Sequence, residues 1–247
     1  MGLTIHFRFA APRVTSFDAA LALVERLHAH ARTLDVQECS PVLTWEQGKD
    51  DPTFARLFHY YKPIGASKTR MLNIPPLRFA VFALKHQGSE PAWFGLASFP
   101  KRAPAAHDPS SIRPTGLVGH HWNAFCKTQY ASMTQHGGWP NFLKIHDAIC
   151  RLLDCAKALG IKVEVFDEGG YFKKRDPALL KQKVDQMNGL VAAVAGKMKD
   201  VLGPKSVVAT ITADPTFEHL EAKGQKLLKG KGTVVVRKII RGMKKKK

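Results

Sequence analysis

Acidic side chains are in short supply in this chain: 20 Asp and Glu stand against 38 Lys and Arg, a formal net charge of +18. That imbalance says nothing about fold, but it favours nucleic acid or an anionic membrane surface as a partner. Cysteine is scarce as well. Cys39, Cys126, Cys150 and Cys155 make no CxxC pair and no dense framework, which argues against a disulfide-stapled secreted domain and for reduced thiols. No apolar run approaches the roughly 20 residues that cross a bilayer. Met1–Ala10 alternates and carries His6 and Arg8, so it lacks the charged head and apolar run of a secretory leader. A soluble, cytoplasmic protein is the expectation.

Signature loops are missing too. Gly224 and Gly230 have five residues between them rather than four, with no Ser or Thr directly after Lys231, and Gly65-Ala66-Ser67-Lys68-Thr69 lacks the earlier glycine of a phosphate-binding loop. No Gly-x-Gly-x-x-Gly or Gly-x-Ser-x-Gly occurs. Nucleotide hydrolysis, dinucleotide binding and α/β-hydrolase chemistry thus lose their usual support.

What is present suffices for a substantial core, since 45% of the residues are hydrophobic. Leu3, Ile5, Phe7 and Phe9 alternate with Thr4, His6 and Arg8, the period of a half-buried strand. Ser16 caps an expected helix whose stripe is Phe17, Leu21, Val24, Leu27, Ala31 and Leu34. Residues 35–75 carry no sustained period and read as an irregular connection with one helical turn around Phe54–Tyr61. Leu77–Leu84 and Trp93–Phe99 read as a strand hairpin, and Pro100–Pro114 as an exposed loop. Phe142, Ile145, Ile149, Leu152, Ala156 and Leu159 mark a helix opening at Pro140 or Asn141 and closed by Gly160, followed by a strand over Ile161–Phe166. Asp176-Pro177 opens a further helix that runs to Gly203-Pro204. Strand, helix, two strands, helix, strand is the order of a split βαβ, ferredoxin-like sandwich, here with an added C-terminal helix. The expected organisation is an α+β globular domain over residues 1–203 and a basic, partly flexible extension over 204–247.

Reactive side chains concentrate between Gly119 and Ser132. Cys126, beside Lys127 and near a histidine, is a candidate nucleophile, against the plainer alternative of a small buried hydrophobe. His120 and His121 point to opposite faces of any strand and do not readily share a metal ion. Cys150 and Cys155, five residues apart on a helix, do not form a metal clip, and no metal ligand set is expected. Asp167 and Glu168, followed by Gly169-Gly170 at the end of a strand, are candidates to bind a hard cation or to act as acid and base, or are simply a solvated turn. His146, on the apolar stripe of its helix, becomes a catalytic candidate only if folding brings it to Cys126 and the Asp167/Glu168 turn.

Phe94-Gly95-Leu96, Trp122, Phe125-Cys126-Lys127-Thr128-Gln129-Tyr130-Ala131-Ser132, Gly137-Gly138, Asn141-Phe142-Leu143, His146, Leu153-Asp154 and Asp167-Glu168-Gly169-Gly170 together resemble a family of uncharacterised bacterial proteins over about residues 77–200. The resemblance points to the 126–132 segment and the 167–170 turn without implying an activity.

The charge itself sits late in the chain. Residues 171–247 hold 19 Lys and Arg against 6 Asp and Glu, whereas residues 1–170 hold 19 against 14. Lys223, Lys226, Lys229, Lys231, Arg237, Lys238, Arg241, Lys244, Lys245, Lys246 and Lys247 follow one another with no acid between them. Such a segment neutralises phosphates and binds polyanions with steep salt dependence and little sequence preference, or remains a solvated tail. The leading expectation is non-specific association with nucleic acid or another polyanion through this tail. The alternative is a small-molecule enzyme built on Cys126 and His146 or on Asp167 and Glu168, and a third reading is an interaction domain without catalysis.

Overall fold

The computed structural model describes residues 3–65, 70–203 and 209–228. Strand β1 (Thr4–Ala11) keeps the alternation of its sequence: Ile5, Phe7 and Phe9 are buried, while His6 and Arg8 face solvent. Ser16 Oγ accepts the Ala19 N–H and starts α1 (Phe17–Ala31), which buries Ala20, Val24, Leu27 and Ala31. After it come β2 (Glu38–Cys39), β3 (Leu43–Glu46), α2 (Pro52–Ala55), a 3₁₀ turn (Arg56–Phe58), β4 (Tyr60–Pro63) and β5 (Met71–Ile74). Then follow β6 (Arg78–Lys85), β7 (Ala92–Ser98), β8 (Arg102–Ala105), β9 (Asp108–Pro114) and β10 (His120–Lys127). The chain continues through α3 (Gly138–Ala158), β11 (Lys162–Asp167), α4 (Tyr171–Lys174), α5 (Pro177–Leu202) and α6 (Phe217–Leu227).

The fold is α+β. The main antiparallel sheet runs β11-β1-β10-β7-β6, with β2 and β3 both paired to the outer edge of β6. A smaller sheet has the order β4-β5-β8-β9. The expected strands β1, β6, β7 and β11 share one sheet, but β10 is inserted between β1 and β7, so the sheet exceeds the four strands of a split βαβ sandwich. Two local expectations are corrected. Residues 35–75 hold four short strands rather than an irregular connection, each two to four residues long and therefore too brief to show a period. Residues 100–114 are not a free loop but the β8–β9 hairpin, whose prolines lie along a mostly exposed pair of strands.

Helices α1 and α3 cover one face of the sheet. Their apolar stripes meet Ile5, Phe7, Phe9, Phe82 and Phe94 in a single core, where Phe7 and Phe94 stack at 4.8 Å between centroids. The opposite face is left open along β11, β1 and β10. Asp176 accepts the Ala178 and Leu179 N–H groups and caps α5, whose far half forms a second apolar cluster of Met133, Ala192, Ala195 and Ile211. Helix α6 packs on α5 so closely that a Cβ at Gly224 would fall on the Gly189 carbonyl. Part of the extension expected from residue 204 onward therefore folds back on the domain, and residues 229–247 lie outside the described residues. Among the described residues no helix is long and apolar enough to cross a membrane.

Candidate functional site

The polar density around residues 119–132 resolves first into a buried network. Gln129 Oε1 accepts the Leu3 N–H at 2.8 Å, Gln129 Nε2 donates to Asn188 Oδ1 at 2.7 Å, and Asn188 Nδ2 donates to Ser132 Oγ at 3.0 Å. These bonds tie β1, the turn after β10 and α5 together, and buried polar groups so paired specify a unique packing. His120 is buried with Nδ1 donating to Val14 O, whereas His121 faces the other way and donates from Nε2 to Val118 O.

The Cys126 thiol takes Glu90 O as its partner, not His146. Strands β10 and β7 share the register pair His121–Ala97, and beyond β7 the Glu90 N–H donates to Lys127 O. Between these points, Trp122 Nε1 donates to Trp93 O at 2.9 Å and Cys126 Sγ to Glu90 O at 3.1 Å. Burial pushes the Cys126 pKa strongly up, and Glu90 adds to the effect. Cys126 is thus a buried thiol used as a hydrogen-bond donor, without the electropositive setting that makes a nucleophile.

Folding does bring His146 to Asp167. His146 Nε2 lies 3.4 Å from Asp167 Oδ1, and His146 Nδ1 lies 3.0 Å from Thr128 Oγ1. The third group at this point is Cys150, one helical turn beyond His146, rather than Cys126. Asp167 Oδ1 accepts the Gly169 N–H and Oδ2 the Phe172 N–H, both at 2.8 Å. Burial alone would raise the Asp167 pKa, but the neighbouring His146 and these two N–H groups outweigh it and hold the carboxyl below its ordinary value. Glu168 points elsewhere and accepts the Thr4 N–H at 2.9 Å, closing the β1–β11 ladder. Within the candidate set Cys126, His146, Asp167 and Glu168, the structure pairs His146 with Asp167, while Cys126 and Glu168 bond to Glu90 and Thr4. Of the basic residues, Lys223 and Lys226 are exposed on α6; Lys229, Lys231, Arg237, Lys238, Arg241 and Lys244 to Lys247 lie outside the described residues.

A feature that no sequence motif marks lies on the open sheet face. His6 in β1 pairs across to Phe125 in β10 and Phe166 in β11, and its ring stands 5.8 Å from the first and 6.0 Å from the second. Phe125 is 51% and Phe166 66% exposed. The three rings line a shallow groove of about 540 Å³ that also takes in Arg8, Asn123 and Glu164. Arg8 and Glu164 carry it into a second groove of about 400 Å³ edged by Tyr60, Lys62, His121 and Lys162. Glu164 is the one carboxylate lining either groove among the described residues, against Arg8, Lys62 and Lys162. Lys127 Nζ sits 5.9 Å from the Phe125 ring and also pairs with Glu90. The sequence shows the polar face of β1; the pairing of residues 6, 125 and 166 requires strands more than a hundred residues apart.

Comparison with known protein families, with curated proteins and with solved structures gives no match to this chain.

Proposed function

We propose that the protein binds single-stranded nucleic acid on the open face of its sheet, with bases resting against Phe125, His6 and Phe166 and phosphates running past Arg8, Lys162 and Lys62. The observation that carries this reading is the row of exposed aromatic rings on three neighbouring strands. Phenylalanine turned to water on a sheet otherwise alternating apolar-in and polar-out leaves apolar surface uncovered, and clustered surface of this kind marks a binding site. Every base offers a π face, so aromatic stacking on an open sheet accepts single strands with little regard to sequence. The Lys/Arg-rich end of the chain adds phosphate contacts that raise affinity and carry no sequence information.

Fluorescence anisotropy with labelled oligo(U), oligo(dT) and a duplex of the same length tests the proposal. The single strands bind more tightly than the duplex. Replacing Phe125 and Phe166 together with Ala removes about 1–3 kcal/mol per stacked base, roughly 5–150-fold each, with the salt dependence of log Kd unchanged. Deleting residues 229–247 instead flattens the salt dependence. A double variant that binds single strands as the parent does contradicts the sheet-face reading, whatever the deletion does.

A further inference from the structure

The buried cluster where α3 meets the end of β11 plays no part in the sheet-face reading. His146 is 0% exposed, and its Nε2 has no hydrogen-bond partner. A buried polar atom left in that state is destabilising. Its nearest acceptor, Asp167 Oδ1, is 3.4 Å away, too long for a good hydrogen bond. Cys150 lies four residues after His146 on α3, on the same helical face. The ligand atoms of His146, Cys150 and Asp167 all fall within 4.8 Å of one another.

Zinc holds N and O ligands at about 2.0–2.2 Å and thiolate sulfur at about 2.3 Å in a tetrahedron, whose ligand-to-ligand edges are then roughly 3.3–3.7 Å. The 3.4 Å between His146 and Asp167 is such an edge. We propose that His146 Nε2, Cys150 Sγ and Asp167 Oδ1 bind a divalent transition-metal ion of the zinc type. Imidazole, thiolate and carboxylate together suit a borderline-soft ion better than magnesium or calcium.

The surroundings have the character of a supporting shell. His146 Nδ1 lies 3.0 Å from Thr128 Oγ1, and in the tautomer with its proton on Nδ1 it donates there and leaves the Nε2 lone pair for the metal. The Gly169 and Phe172 N–H groups fix the Asp167 carboxylate. Phe142 and Tyr171 wall the imidazole, with centroids at 5.1 and 5.8 Å. Gly169 approaches so closely that a Cβ there would stand 3.1 Å from Asp167 Oδ1. On binding, the Cys150 S–H bond breaks as the sulfur–metal bond forms, and the proton passes to solvent. Three protein ligands leave one tetrahedral position for a solvent-derived ligand. The ion ties α3 to the β11–α4 turn.

Cobalt titration of the chelator-stripped full chain tests the site. The parent protein takes up one equivalent with a thiolate-to-cobalt charge-transfer band that zinc abolishes and magnesium does not, and zinc raises its Tm. The band persists in Cys126→Ser, disappears in Cys150→Ala, and needs at least roughly tenfold more cobalt in the isosteric Asp167→Asn. Absence of the band from the parent protein overturns the proposal without recourse to any variant. So does a band that survives Cys150→Ala, or an Asp167→Asn titration that matches the parent.

Discussion

The thiol of Cys126 and the indole N–H of Trp122 both donate to backbone carbonyls, those of Glu90 and Trp93. Buried backbone acceptors need donors, and these two side chains supply them. The sequence shows a reactive residue type beside a lysine; what decides its chemistry is that Lys127 pairs with Glu90 while the sulfur is enclosed. Brief alkylation of the folded protein with iodoacetamide, mapped by mass spectrometry, leaves Cys126 unmodified and labels it once urea unfolds the chain. Labelling of Cys126 at equal rates in the two states contradicts this placement. His146 illustrates the converse. Its proximity to Asp167 depends on the fold, yet the spacing of His146 and Cys150, one helical turn apart, is legible in the sequence.

Elements with their own caps and periods were legible: β1 by alternation, α1 by Ser16, α5 by Asp176-Pro177, and α3 by its stripe and the Gly160 stop. The short strands β2 to β5 and the β8–β9 hairpin were not, because pairing with distant partners, and not local pattern, makes them strands. Close approach of α6 to α5 belongs to the same category. Gly224 reads as a weakness in a helix until Gly189 is placed against it. Gly224→Ala forces the helices apart, an overpacking cost of about 1–3 kcal/mol. In native-state hydrogen exchange the α6 amides of this variant exchange roughly 5–150-fold faster, while those of β1 keep their rates. Unchanged α6 protection excludes the tight contact.

Across the whole molecule, the two faces of the main sheet divide the work. One face, under α1 and α3, holds the apolar core and the buried His146 cluster; the other presents aromatic rings and cations to solvent. The net charge was legible from composition, but it pointed to the end of the chain. The exposed aromatic row arises instead from residues 6, 125 and 166, which the strand order β11-β1-β10 brings together. In this account the basic segment strengthens contact with phosphate, and the sheet determines that the partner is single-stranded. Ultraviolet cross-linking of the full chain to labelled oligo(U), followed by peptide mapping, addresses that division most directly. The account predicts adducts on peptides that contain His6, Phe125 and Phe166. Adducts confined to residues 229–247, with those three peptides unmodified, would contradict it.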